Sequence, residues 1–321
     1  MNPMKKRVLV TAPPMAHNVE LFRSEAVELG FELIAPKVEQ ALTETELVTL
    51  LPTVDGWIIG DDPANRATLS AGTSGSLRAA VRWGIGMDNV DREAARELGL
   101  EIVNTPAVFG AEVADVALGY IIALGRSLFE IDRSVRRGGW PKTTGISFQE
   151  KKVLIVGYGD VGRSLNLRLR AIGMRVYASD PYAGRGQEAS EPIWLEWGDS
   201  LHEMDFIVLS CPLTPETRGM INSSILKQLR PDVRLVNVSR GGLIVEEDLI
   251  AAKKQGNLGG IALDVFEEEP LPLNSELREF PDTIFGCHNG SNTIDAIVRA
   301  SRIALKKMVE AFETYGASST P

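Results

Sequence analysis

Short runs of β-branched and aliphatic residues alternate with stretches of helical periodicity along almost the whole chain. In the first third this pattern predicts strands over Arg7–Ala12, Phe31–Ala35, Gly56–Gly60, Ala79–Trp83 and Leu100–Asn104. Helical patterns lie between them at Val19–Leu29, closed by Gly30, at Glu44–Leu51, stopped by Pro52, and at Asp91–Leu98. Glycine just past a helix and proline soon after are natural stops. A second series opens at Lys151, with strands predicted over Lys152–Val156, Arg175–Ser179, Phe206–Ser210, Arg234–Val238, Ile261–Val265 and Thr283–Gly286. Val161–Ile172, Ser224–Leu229, Glu246–Gln255 and Ile294–Phe312 carry helical patterns. Such alternation predicts parallel sheets covered on both faces by helices. A chain of 321 residues suffices for two domains of that kind.

Between the two series, Ala111–Arg137 reads as one long helix, with Val113, Val116, Ala117, Ile121, Leu124 and Leu128 forming a broad apolar face. A face this wide fits a core helix joining domains and a subunit interface equally well.

Charge narrows the partners. With 34 basic and 43 acidic residues the formal net charge is −9, and such a field repels nucleic acid and anionic membrane surfaces. A local basic pocket for a small anion remains compatible with it. Cys211 and Cys287 make no disulfide framework. No apolar run approaches the ~20 residues that span a bilayer, and Val8–Val10 is too short for the core of a signal peptide. A soluble cytoplasmic protein is expected.

The most informative segment is Gly157-Tyr158-Gly159-Asp160-Val161-Gly162, which follows a predicted strand and opens a predicted helix. In that context Gly157 permits the tight turn, Gly159 lets a pyrophosphate approach the backbone, and Gly162 lets helix and strand pack closely. The helix N-terminus adds free N–H groups and a positive dipole end. Asp180 ends the next strand, 23 positions past Gly157, where an acid accepts the ribose hydroxyls of a dinucleotide. It would also repel a 2′-phosphate, so NAD is expected over NADP. Arg185, a few residues on, would soften that preference.

Of three histidines, His17 and His202 read as capping or surface residues. His288 differs, because it ends the apolar strand Thr283–Gly286 and enters a polar loop. Strand ends of an open parallel sheet form the ligand crevice, and other ends of this series carry Arg240 and the run Glu267-Glu268-Glu269. An imidazole can exchange a hydroxyl proton near neutrality, a carboxylate on its far nitrogen fixes the tautomer, and an arginine fork clamps a carboxylate and polarises a carbonyl. Spacing alone is equally compatible with Arg240 and Glu269 as ordinary loop charges. No metal-ligand set is assigned.

Several motifs together resemble the D-isomer-specific 2-hydroxyacid dehydrogenase family over nearly the whole chain. They are Arg82-Trp83-Gly84-Ile85-Gly86-Met87-Asp88-Asn89-Val90-Asp91, Asn104-Thr105-Pro106 before Glu112-Val113-Ala114-Asp115, Gly157–Gly162, Cys211-Pro212-Leu213-Thr214-Pro215-Glu216-Thr217, Asn237-Val238-Ser239-Arg240-Gly241, Leu263-Asp264-Val265-Phe266 to Glu269-Pro270, and His288. The resemblance implies hydride transfer between NAD(H) and a D-2-hydroxy acid/2-oxo acid pair. Arg240 would bind the substrate carboxylate and carbonyl, His288 would be the acid/base, and Glu269 its partner. Trp83 and Gly84, with Arg240 and His288, would meet the substrate.

Around NAD the resemblance sets Tyr158 with Gly157, Gly159 and Gly162, backbone contacts from Asp160 and Val161, Asp180 at the ribose and Asp264 at the nicotinamide carboxamide. Cys211, Pro212, Thr217, Val238, Ser239 and Gly290 complete that list, and both cysteines read as small buried residues. The implied architecture is a flavodoxin-like substrate domain split over 1–103 and 290–321, a Rossmann NAD-binding domain over 104–289, and a homodimer through the helix around Ala111–Arg137. Cys287, Asp115 and Phe109 stand where proline, glutamate and asparagine are common in the family.

The substrate stays open between 3-phosphoglycerate and hydroxypyruvate or glyoxylate. The Arg82–Asp91 motif resembles the phosphoglycerate dehydrogenase branch, yet Asp61 and Asp62 set acid where a phosphate wants cations. The same fold also serves non-catalytic NAD(H)-sensing modules. A chain without long disordered extensions is expected to be the enzyme.

Overall fold

The computed structural model describes residues 5–184 and 191–318; Arg185 lies outside them. It contains two compact units: one runs to Val108 and resumes at Asn292, and the other is Phe109–Ser291.

The first unit holds a five-stranded sheet of β1 (Lys6–Val10), β2 (Phe31–Ile34), β3 (Gly56–Ile59), β4 (Ala79–Arg82) and β5 (Ile102–Asn104). Its order is β2-β1-β3-β4-β5 and every pairing is parallel. This is the flavodoxin-like order of a doubly wound sheet. Val8, Leu9, Trp57, Ile58 and Val81 are fully buried, since helices on both faces leave a parallel strand no solvent side. Each large side chain so buried contributes about 1.5–3 kcal/mol.

The second unit holds seven strands: β6 (Lys152–Val156), β7 (Arg175–Ser179), β8 (Ile193–Trp194), β9 (Phe206–Leu209), β10 (Arg234–Asn237), β11 (Gly260–Leu263) and β12 (Thr283–Phe285). They run β12-β11-β10-β9-β6-β7-β8, all parallel. Read from β8, this is the Rossmann order with one further strand. The strand order reverses between β6 and β9, and the carboxyl ends beside such a switch point form the ligand crevice.

The structure changes several sequence-based expectations. The domain boundary at 103/104 shifts to 108/109, because Thr105 donates to the carbonyls of Arg82 and Gly84 and the Arg299 Nε to that of Val108 at 3.2 Å. The boundary at 289/290 moves to 291/292.

The single helix Ala111–Arg137 is two, Gly110–Arg126 and Leu128–Arg136. Ser127 between them takes a left-handed conformation, φ +50°. Ile146 N–H occupies the Gly125 carbonyl at 2.8 Å, and a side chain at Gly125 would strike Phe148, its Cβ 2.6 Å from the ring. Tertiary contact thus breaks a helix that periodicity would continue. His17 lies in the last turn of a helix Pro13–His17. That helix, a second at Arg66–Ser74 and the two-residue β8 went unpredicted.

No helix among the described residues is long and apolar enough to cross a membrane.

Candidate active site

The carboxyl ends of β9 to β12 and of β6 and β7 gather most of the singled-out residues within the second unit. Beyond β12, His288 has φ +55°, a left-handed conformation uncommon outside glycine. Its N–H donates to the Asp264 carbonyl at 2.6 Å. This strained turn aims the imidazole, and its Nδ1 lies 2.7 Å from Glu269 Oε2. The other Glu269 oxygen accepts from Phe266 N–H at 2.9 Å, so the carboxylate is held from both sides before it meets the ring. Of the three consecutive glutamates, Glu267 is spent elsewhere, exchanging hydrogen bonds with Glu246.

Arg240 follows β10. Asn237, fully buried, fastens the arginine loop by donating to the Arg240 carbonyl at 2.8 Å, and Arg240 Nη1 donates to the Ser239 carbonyl at 2.8 Å. Gly241 allows the arginine and glutamate loops to touch: a Cβ there would collide with the Phe266 carbonyl. Asn237 and Gly241 lie inside the arginine motif but were not assigned a role from sequence: Asn237 closes a local turn onto Ser239 and Arg240, and the Phe266 backbone that Gly241 makes room for is distant in the chain.

The phosphate loop turns at Gly157, φ +93°, where a Cβ would lie 2.5 Å from Cys211 N. Gly159 caps a twelve-residue helix, Asp160–Ala171, and open space surrounds the position its Cβ would take. A Cβ on Gly162 would collide with the Gly157 carbonyl, so Gly157 and Gly162 are required by the packing of the loop itself, while Gly159 leaves the cradle open. Asp180 accepts from the N–H groups of Tyr158 at 2.7 Å, Tyr182 at 2.8 Å and Ala183 at 3.1 Å. Its carboxylate is thereby fixed beside the loop, with about one lone pair to spare. An open cradle at a helix N-terminus, with an anchored acid at the end of the adjacent strand, fits a dinucleotide.

Other candidates shape this loop region from within. The Tyr158 ring is buried, its hydroxyl accepting from Asn166 at 2.8 Å and its edge against Trp194. Asp160 Oδ2 accepts from Gly110 N–H at 2.9 Å, tying the phosphate helix to the start of the helix Gly110–Arg126. Val161 lies in the first turn after it. Thr217 donates to the Pro212 carbonyl at 2.8 Å, Ser239 donates to that of Cys211, and Val238 N–H donates to Leu209 at 3.3 Å. Cys211 is buried, and burial pushes its thiol up to about 11. Cys287 is exposed, correcting the expectation that both thiols are buried. Gly290 N–H donates to Asp264 Oδ2 at 2.9 Å.

In the first unit, Trp83 and Gly84 have no spare donors. Trp83 N–H donates to Ile59 at 3.0 Å and its Nε1 to Ser301 at 3.1 Å. Gly84 N–H donates to Thr105 Oγ1 at 2.8 Å.

The carboxyl ends of β3 and β4 carry Asp61, Asp62 and Arg82. Arg82 Nη2 pairs with Asp61 at 2.7 Å, while buried Asp62 accepts from Leu42 and Gly60 N–H groups and from the Thr11 hydroxyl. Burial raises the Asp62 carboxyl above its usual range.

Fold and loop define a dinucleotide-binding α/β protein whose imidazole–carboxylate pair sits on the same strand edge as an arginine. Residues 118–290 match the family model of the D-isomer specific 2-hydroxyacid dehydrogenase, NAD binding domain. A glyoxylate reductase of Thermococcus litoralis is 32% identical over 320 residues, covering 95% of this chain and 93% of its own. A D-3-phosphoglycerate dehydrogenase of Synechocystis is 35% identical over 270 residues, 82% of this chain but 48% of that protein. The chain thus spans about half the length of the phosphoglycerate dehydrogenases it matches. Among solved structures, apo D-lactate dehydrogenase from Escherichia coli superposes with a TM-score of 0.83 at 27% identity, covering 96% of this chain and 97% of the other. The chain belongs to the D-isomer-specific 2-hydroxyacid dehydrogenase family, and its second unit is that family's NAD-binding domain.

Proposed function

We propose that the protein reduces a small, unphosphorylated 2-oxo acid to the D-2-hydroxy acid with NADH, and catalyses the reverse reaction with NAD. The Glu269–His288 pair at 2.7 Å carries this reading. When bound, the nicotinamide supplies or takes up the hydride at C2. In reduction His288 delivers a proton from Nε2 to the carbonyl oxygen; in oxidation the neutral ring takes it back. Glu269 holds Nδ1–H, which fixes the tautomer and stabilises the imidazolium. Arg240 presents a planar cation to the carboxylate and polarises the adjacent carbonyl. Asp180 takes the adenosine ribose and Asp264 the carboxamide.

The first unit is the substrate domain, and its Trp83 and Gly84 meet the substrate. Its acidic strand end argues against a phosphorylated substrate: Asp61 already consumes the Arg82 charge. The relatives named for glyoxylate and for 3-phosphoglycerate set the panel for a test. NADH oxidation is measured with glyoxylate, hydroxypyruvate, pyruvate and phosphohydroxypyruvate. Turnover of one of the first three, at a kcat/KM above that for phosphohydroxypyruvate, is expected. Tight NADH binding without turnover of any 2-oxo acid would identify a non-catalytic NAD(H)-sensing module instead.

The protein acts as a cytoplasmic homodimer. Leu128, Phe129 and Val135 on the helix Leu128–Arg136, with Trp140 beyond it, are all exposed and support an interface there. Sedimentation of a Phe129→Glu variant tests it, with a shift to monomer expected.

A further inference from the structure

The buried carboxylate of Asp264 has an anchor that no motif announces. Tyr120 lies on the helix Gly110–Arg126, 144 positions away in sequence, and its hydroxyl donates to Asp264 Oδ1 at 3.1 Å. Asp264 Oδ2 accepts from Gly290 N–H at 2.9 Å, and the Asp264 carbonyl accepts from His288 N–H at 2.6 Å. The side chain is only 2% exposed, and both its donors are neutral, a phenol and an amide. Gly286 clears the space where the oxygens meet, since a Cβ there would collide with both Asp264 Oδ1 and the Tyr120 hydroxyl.

We propose that Tyr120 is a positioning residue for the nicotinamide end of the cofactor, acting through Asp264; this rests on the assignment of Asp264 to the carboxamide. An ionised carboxylate offers about four lone-pair positions. The fold occupies one on each oxygen, and the others remain for a ligand N–H. A hydrogen bond on each oxygen fixes rotation about Cβ–Cγ, so those positions have one direction. Burial and then the Asp264 charge hold the Tyr120 phenol well above its ordinary value, which keeps it a donor throughout the working range. Without the hydroxyl, Oδ1 is left with a desolvated charge and no fixed direction.

The test compares NADH with ADP-ribose, which lacks the nicotinamide, by titration calorimetry on the folded dehydrogenase. Tyr120→Phe keeps the ring and removes only the hydroxyl. Its NADH Kd should rise about tenfold, the scale of one lost hydrogen bond to a buried charge, while the ADP-ribose Kd stays within about twofold. Tyr120→Phe/Asp264→Asn should bind NADH no more weakly than Asp264→Asn alone. Parallel weakening of both ligands, or an unchanged NADH Kd in Tyr120→Phe where Asp264→Asn itself weakens NADH, would overturn the proposal and leave Tyr120 a packing residue. An Asp264→Asn variant that binds NADH as tightly as the unmodified protein would remove the assignment of Asp264, and the proposal with it.

Discussion

Glu269→Gln separates the carboxylate's electrostatic role from its shape. Glutamine keeps an oxygen for the Phe266 N–H and a polar group against Nδ1, but it removes the charge 2.7 Å from the ring. At that spacing an effective dielectric constant of ~20 gives an upper bound of about 6 kcal/mol for the imidazolium–carboxylate attraction. The two side chains are 27% and 22% exposed, so solvent screens much of it. The net worth of a charge-assisted hydrogen bond, about 1.5–3 kcal/mol, is the better scale. At about 1.36 kcal/mol per pH unit this is a shift of roughly one to two units.

The sign follows from which form reacts. Reduction consumes protonated His288, so kcat/KM falls as pH rises through the titration of the ring. The carboxylate favours the protonated ring, and its removal moves that alkaline limb to lower pH. Above both limbs the variant should therefore be about 10–100-fold slower in reduction, and below both nearly unchanged in proton supply. In oxidation, which needs the neutral ring, the acid limb should move down by the same amount. The assay is the pH profile of kcat/KM for 2-oxo acid reduction. An alkaline limb that stays in place or moves upward would refute the partnership. Glu268 would be the next candidate, since Glu267 is bound to Glu246.

The other predictions concern the remaining groups of the site. Asp180, held by three N–H groups, should make NAD(H) better than NADP(H) by about 100-fold or more in kcat/KM, the combined scale of a charge clash and lost ribose hydrogen bonds; equal efficiency would refute the assignment. His288→Gln should lower kcat by about 100-fold or more while NADH binding measured by fluorescence survives, and Arg240→Lys, which keeps the charge but loses the fork, should worsen both KM and kcat. A thiol reagent at pH 8 should titrate one thiol per folded chain, Cys287, and a second only in denaturant, since Cys211 is buried with its thiol raised to about 11. Cys287→Ser should retain most activity.

The sequence by itself determined what is local. Two series of strands and helices, the glycine loop opening onto a helix and an acid at the next strand end all lie within short windows, because alternation and turn chemistry act over a few residues. It also set Arg240, Glu269 and His288 at the ends of successive strands, which a parallel sheet must bring to one edge.

Only the tertiary structure decided which of these groups have capacity left. Trp83 and Gly84 spend their donors on Ile59, Ser301 and Thr105, and periodicity carries no information about whether an N–H is already bound. At the break at Ser127 the Gly125 carbonyl accepts from Ile146 N–H in place of a further helical turn, a contact that overrides a good helical pattern. The choice of Glu269 among three adjacent glutamates follows from the fold: Phe266 N–H holds one Glu269 oxygen, while Glu267 is taken up by Glu246. The Tyr120–Asp264 bond joins residues 144 positions apart, and its hydroxyl lies on a helix whose pattern reports only an apolar face. Local sequence sets element type and strand-end chemistry; saturation of donors and acceptors depends on partners supplied by the fold.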